Sequence, residues 1–173
     1  MNKHNHQLHQ VSRPDLTLIA AVSEDGFISS GKGVPWHLPA DITHFRKHTT
    51  GKWLLLGRRT FDEMRGWFRP GHKPLILSRD EAFKPEIGQR VSSVEEALSL
   101  VDGELMVCGG GQVYHAAMPH SSRLMVTRVH TKLGSGVPFP TIDETYWQEI
   151  HQIEHAADAA HAFAMTFLSY RRR

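Results

Sequence analysis

The chain has 173 residues, 40% of them hydrophobic and 22% charged, the size and balance of one ordinary globular domain that buries roughly 70% of the surface its unfolded chain exposes. With 20 Lys and Arg against 18 Asp and Glu, the formal charge is only +2, and Arg171, Arg172 and Arg173 at the C-terminus exceed that surplus, which argues against the dense basic face that nucleic-acid binding requires. The single Cys108 has no internal disulfide partner, fits a reducing compartment, and leaves no Cys-based structural zinc site.

Residues 1–14 are polar and read as a flexible tail, with the folded domain running over residues 15–173. His4, His6 and His9 in that tail invite a metal reading, but a polar terminal segment is better explained as a frayed end, and no metal is expected. The chain has no apolar run of signal-peptide length at its start and none of the roughly 20 residues that cross a bilayer, so the expectation is a soluble, cytoplasmic protein without a membrane partner.

Further along, "LTLIAAV" (residues 16–22) is a short unbroken apolar run, the pattern of a strand covered on both faces. The runs at residues 53–57, 74–78 and 104–109 repeat it, and four such runs predict the interior of a mostly parallel sheet. Between them the sequence predicts helices over residues 39–49, with Pro39 in the first-turn position that Pro favours, over 58–64, over 93–101, where Ser93 and Glu96 make a capping box, and over 111–118. Residues 122–131, 146–154 and 161–170 then read as strands forming an antiparallel edge. The expected fold class is α/β: one domain, a central mostly parallel sheet with an antiparallel C-terminal edge, and helices on both faces.

One acid stands out. In "GVPWHLPADITHFRK" the carboxylate of Asp41 falls in a helix's first turn, where the dipole favours an anion by about 0.3–1 kcal/mol. Phe45, four residues on, shares its helix face, and an anion beside an apolar wall is costly unless something pairs with it. A ligand with adjacent N–H donors would satisfy both oxygens. The preceding "SEDGFISSGKGVPW" is rich in turns, as a mobile flap over a pocket would be.

At this point "GVPWHLPADITHFRKHT", "LLLGRRTFDEM", "PLILSR", "MVCGGGQVYHAAMP" and "LMVTRV", in that order, resemble dihydrofolate reductase of the bacterial monomeric type from about Leu16 to Tyr170. The resemblance implies NADPH-dependent reduction of dihydrofolate, with hydride delivered to C6 and N5 protonated from water. It implies that Asp41 accepts a hydrogen-bond pair from the pterin 2-amino group and N3, that Trp36 positions an ordered water, and that Thr127 bonds the aspartate. By the same matching Ile19, Ala20, Phe45 and Met64 line the folate pocket, and Ala21, Ile28 and Val34 lie near the cofactor ring. Gly57, Thr60, Cys108, Gly109, Gly110, Gly111, Gln112, Val113 and Tyr114 belong to the cofactor side, with the glycine turn at the pyrophosphate. Arg58, Arg59, Ser78 and Arg79 would surround the 2′-phosphate, where guanidinium forks suit phosphate oxygens. The implied partners are small molecules alone, and the implied state is a monomer.

The sequence departs from the family in three places. His72 stands where an arginine holds the folate glutamate, leaving Arg69, Lys73 or Arg65 as substitutes. Gly136 replaces an aspartate that bonds the closed flap. Trp67 adds bulk at the pocket rim. Competing readings are a riboflavin-pathway or other pterin reductase on the same fold, a binder without turnover, and a metal enzyme built on His151 and His155. That last stretch reads better as a strand and offers no third ligand.

Overall fold

The computed structural model describes residues 13–173; His4, His6 and His9 lie outside the described residues. An eight-stranded sheet runs in the order β5-β4-β3-β6-β1-β7-β10-β9. It is built from β1 (Leu16–Ser23), β3 (Trp53–Gly57), β4 (Lys73–Leu77), β5 (Gln89–Val91), β6 (Leu105–Gly109), β7 (Arg123–Val129), β9 (Trp147–His155) and β10 (Met165–Arg172), and β2 (Phe27–Ser29) pairs separately with β8 (Val137–Pro138). The contacts among β5, β4, β3, β6, β1 and β7 are parallel, whereas β10 runs antiparallel to both β7 and β9. The helices are α1 (Pro39–Thr49), α2 (Arg58–Glu63), α3 (Val94–Leu100) and α4 (Gly111–Ala117).

The apolar runs read from the sequence are sheet interior because alternate side chains fill two cores. Leu16, Leu18, Leu55, Leu75, Leu105 and Val107 point to one face, packed with Val94, Ala97 and Leu98 of α3 and Val113, Tyr114 and Ala117 of α4. Ile19, Leu54, Leu56, Ile76, Met106 and Cys108 point to the other, packed with Phe61 of α2 and Phe45 of α1. Both faces therefore carry helices. Leu54, Leu55, Leu56, Ile76 and Val107 are wholly withdrawn from solvent, and each such side chain contributes about 1.5–3 kcal/mol of burial.

Local signals hold with adjustments. Pro39 occupies the first turn of α1, with Asp41 in the same turn. The Ser93 hydroxyl accepts from the Glu96 N–H at 3.0 Å, while the Glu96 carboxylate reaches back to the Ser92 N–H and hydroxyl rather than to Ser93, a capping box shifted by one residue. The strand expected over residues 161–170 begins only at Met165. Residues 158–161 instead form a tight turn in which Asp158 and His161 exchange backbone bonds at 3.0 and 3.2 Å. Three short strands had no sequence signal: β5 is an edge strand with polar Gln89 and Arg90, and β2 and β8 span three and two residues. Among the described residues no helix is long and apolar enough to cross a membrane.

Candidate active site

In an open parallel sheet the carboxyl ends of the strands are where ligands sit, because the chain turns away there and leaves a crevice. Ile19, Ala20 and Ala21 lie in the middle of β1, Gly57 ends β3, Ser78 follows β4, and Cys108 and Gly109 end β6. The sheet thus gathers at one edge residues that are far apart in sequence.

Asp41 anchors one side of this crevice. It is half-buried, and its Oδ1 accepts a 2.7 Å hydrogen bond from the hydroxyl of Thr127, a β7 residue only 2% exposed and paired with Ala21 of β1 and Phe167 of β10. Burial pushes the Asp41 carboxyl above the usual range, and the Thr127 bond pulls partly the other way. One carboxylate oxygen is committed to protein and the other remains for a ligand. Leu38, Ala21, Trp36, Ala40, Phe163 and Phe167 pack together as the apolar surroundings on this side, and Ile19, Phe45 and Met64 belong to the adjoining core. The indole Nε1 of Trp36 is a buried donor with no hydrogen-bond partner among the described residues, as expected of a group whose partner is a ligand or a water it holds.

Across from Asp41, the turn after β6 is shaped by missing side chains. A bulge sets Leu55 opposite Val107 and Leu56 opposite Gly109, skipping Cys108, and such bulges re-aim a chain beside a site. Gly109 has φ +115° and a cis peptide to Gly110. A Cβ on Gly111 would stand 2.5 Å from Val137 Cγ1, one on Gly110 would stand 3.2 Å from the Thr60 hydroxyl, and one on Gly57 would stand 3.2 Å from Val113 Cγ2. The bare backbone is what lets β3, α2, α4 and β8 approach one another. This glycine cradle beside the Thr60 hydroxyl and the N–H groups of Gly111, Gln112 and Val113 suits a pyrophosphate. Buried Tyr114 donates from its hydroxyl to the Ile19 carbonyl at 2.7 Å, tying α4 to β1, and burial keeps its phenol protonated. The Cys108 thiol is likewise pushed up by burial and is inert.

Arg58, Arg59 and Arg79 are exposed beyond this cradle. Arg58 pairs with Asp80 at 3.0 Å and lies over Phe83 at 4.3 Å, and Arg59 sits 3.4 Å from Glu63. Arg90 of β5, which nothing in the sequence singled out, donates to the Ser78 carbonyl at 2.8 Å and joins the basic group. These forks fit a phosphate monoester at the outer end of a dinucleotide.

The turn-rich segment after β1 is held at its base by Asp25, whose carboxylate accepts from the Ser23 hydroxyl and from the N–H groups of Leu133 and Gly134, bonds that hold its pKa down at about 2. Ile28 is half-buried, whereas Val34 is 62% exposed. Gly136, φ +143°, lies so close to the backbone of Ser29 that no side chain fits, which accounts for glycine there: the chain packs on the end of β2 through backbone.

At the rim, His72 stacks on Trp67 with centroids 4.8 Å apart and accepts the Arg69 N–H on Nδ1 at 2.8 Å. The proton therefore sits on Nε2, and burial, with Arg69 and Arg46 nearby, lowers the imidazole pKa. The three cations considered as substitutes are engaged elsewhere. Arg65 pairs with Asp62 and Glu86 at 3.0 and 3.1 Å, Arg69 donates to the carbonyls of Gly66, Trp67 and Phe68, and Lys73 lies over Trp53 at 5.0 Å. Arg46 of α1, its guanidinium 5.7 Å from the Trp67 ring, is the cation the fold brings to this rim. Nothing in the sequence marks it, because the feature that stands out in α1 is its acid.

The family model described as dihydrofolate reductase matches residues 15–172. The chain is 35% identical over 160 residues to "Dihydrofolate reductase type 3" of Salmonella typhimurium, covering 91% of this chain and 98% of that one. It is 34% identical over 157 residues to the dihydrofolate reductase of Neisseria gonorrhoeae (90% and 96% covered) and 40% identical over 134 residues to that of Mycobacterium tuberculosis (75% and 82%). Among solved structures, dihydrofolate reductase from Enterococcus faecalis, complexed with NADP(H) and RAB-propyl, superposes with a TM-score of 0.85 at 28% identity, covering 93% of this chain and 98% of that one. The half-buried Asp41 carboxylate and the glycine cradle after β6 sit on a chain that the family model matches over residues 15–172, and the protein belongs to the dihydrofolate reductase family.

Proposed function

We propose that the protein reduces 7,8-dihydrofolate to 5,6,7,8-tetrahydrofolate with NADPH, as one catalytic domain over residues 15–173, acting as a cytoplasmic monomer. The observation that carries the reading is the Thr127-to-Asp41 bond at 2.7 Å inside the apolar end of the crevice: the one acid there has a free oxygen and a fixed orientation. Asp41 accepts from the 2-amino group and N3 of the pterin, a charge-assisted pair of the stronger kind. Thr127 holds the carboxylate in line, and Trp36 Nε1 holds the water that passes a proton to N5. Ile19, Ala20, Phe45 and Met64 form the walls that exclude other water.

On the opposite side, Ala21, Ile28 and Val34 border the nicotinamide. The cradle of Gly57, Thr60, Cys108, Gly109, Gly110, Gly111, Gln112, Val113 and Tyr114 takes the pyrophosphate side, and Arg58, Arg59, Ser78 and Arg79 take the 2′-phosphate. When bound, NADPH supplies the hydride, and the protein supplies orientation. At the rim the glutamate tail meets Arg46 of α1, because the Nε2 N–H of His72 is buried and the turn before β4 offers no free guanidinium, so its carboxylate is held less tightly.

The test is consumption of NADPH with 7,8-dihydrofolate, run beside riboflavin-pathway and other pterin substrates. Turnover confined to dihydrofolate is expected. NADPH consumption only with another pyrimidine-bearing ring would overturn the substrate assignment, and NADPH binding with no turnover on any of them would make the protein a binder.

A further inference from the structure

Helix α1 starts without the usual cap. Its flanking residue, Leu38, has no side-chain oxygen, and no local side chain caps the helix, so the first-turn N–H groups must find acceptors elsewhere. Pro39 has no N–H. Asp41 and Ile42 both donate to the Leu38 carbonyl, at 3.0 and 3.1 Å. The remaining donor, the Ala40 N–H, bonds to Nε2 of His161 at 3.0 Å, a residue 121 positions away.

His161 is built for this. It is 7% exposed, its Nδ1 lies 2.8 Å from Asp158 Oδ1, and the Asp158 carboxylate is fixed by the Ala160 N–H at 2.9 Å. His155 packs on its ring with centroids 4.4 Å apart. Because Nε2 accepts, the ring proton belongs on Nδ1, where it bonds Asp158. That proton count also sets aside a competing use of this corner. His155, Asp158 and His161 bring ligand atoms within 4.8 Å of one another, but the Nδ1 lone pair that a cation would need is occupied by the proton for as long as Nε2 caps the helix.

We propose that His161, oriented by Asp158, is a positioning residue that caps helix α1 and thereby holds Asp41, the next residue after Ala40, in line with Thr127. This rests on the reading of Asp41 as the substrate carboxylate. An uncapped first turn would fray, bring water to the Asp41 carboxyl and let it rotate away from β7. The neutral imidazole is required: a proton on Nε2 would face the Ala40 N–H donor to donor at the positive end of a helix dipole.

The experiment compares wild type, His161→Phe, which keeps an aromatic ring without an acceptor, and His161→Gln, whose amide oxygen reaches about as far as Nε2. Amide exchange over residues 40–45 is expected to quicken by about tenfold in His161→Phe, the scale of one lost cap, and to return toward wild type in His161→Gln. With dihydrofolate, kcat/KM is expected to fall by a similar factor in His161→Phe while NADPH Kd stays put, and the acidic limb of the pH profile is expected to move down as Asp41 becomes hydrated. Unchanged exchange in folded His161→Phe, or no recovery in His161→Gln, overturns the cap whatever the turnover. If His161→Phe does not fold, His161→Asn, too short to reach Ala40, replaces it with the same two outcomes. Exchange that behaves as expected beside unaltered kcat/KM and pH profile overturns the positioning role. Exchange as expected in a wild type that never turns over dihydrofolate overturns the functional reading, and the role for Asp41 with it, while the cap stands.

Discussion

The two walls of the crevice are made in opposite ways. On the Asp41 side, side chains do the holding: a carboxylate bonded to a buried threonine, on a helix whose start is bonded to a buried histidine. On the other side the holding is done by what is absent, three glycine positions where a Cβ would meet Val137, Thr60 or Val113 at 2.5–3.2 Å, with exposed arginines at the outer end. The first wall is thus tuned by charge and proton position, and the second by space. Substitutions on the first should change chemistry with little change in cofactor affinity, and substitutions on the second should do the reverse.

Short of removing the Asp41 carboxylate itself, the largest break in that contrast is Thr127→Val. Removing a neutral donor from a charged acceptor costs about 1.5–3 kcal/mol, so kcat/KM for dihydrofolate should drop ten- to a hundredfold, about what that energy implies, with NADPH Kd near wild type. The Thr127 bond lowers the Asp41 pKa against the burial that raises it. Its loss should move the acidic limb of the pH profile upward, the opposite of the His161→Phe shift. On the other wall, Gly111→Ala forces a methyl against Val137. Overpacking of this kind costs about 1–3 kcal/mol and should weaken NADPH binding about tenfold by titration, and Gly111→Ala with Val137→Ala should recover part of it.

A smaller effect is expected of Arg79→Ala. An exposed cation facing a phosphate contributes modestly, so NADPH should lose a few-fold in affinity, about 0.5–1 kcal/mol, and NADH none. The smallest is His72→Arg: KM for dihydrofolate should improve about two- to threefold, a surface-pair effect, while a dihydropteroate lacking the glutamate should show no change.

Much of this was legible in the sequence, for reasons particular to each element. β1, β3, β4 and β6 announced themselves because a strand covered on both faces is apolar without interruption, and Asp41 drew notice because an acid among Pro39, Leu38 and Phe45 needs an explanation. β5 did not, since an edge strand with Gln89 and Arg90 carries no such run, and Arg90 went unnoticed with it. Residues 161–164 looked like strand by alternation, but the bonds between Asp158 and His161 close a turn there first. The use of glycine at position 136 depends on the backbone of Ser29, and the Ala40–His161 bond spans 121 residues. Neither has a local pattern to read.

Asp41 also couples stability to function. Its folded pKa is raised, so the stability tied to its protonated form is present in acid and lost as pH rises through that value. Asp41→Asn should therefore melt higher than wild type at neutral pH while losing activity.

The Asp41 carboxylate, and no other group, is the one expected to handle the pterin. The most direct test is the single-turnover rate of hydride transfer to dihydrofolate as a function of pH in wild type and Asp41→Asn. Expected are a titration above the ordinary carboxylate value in wild type, its absence in the variant, and a loss of at least about a hundredfold, the usual scale for a group that assists proton transfer. An Asp41→Asn rate within a few-fold of wild type, with the titration still in place, would contradict that role.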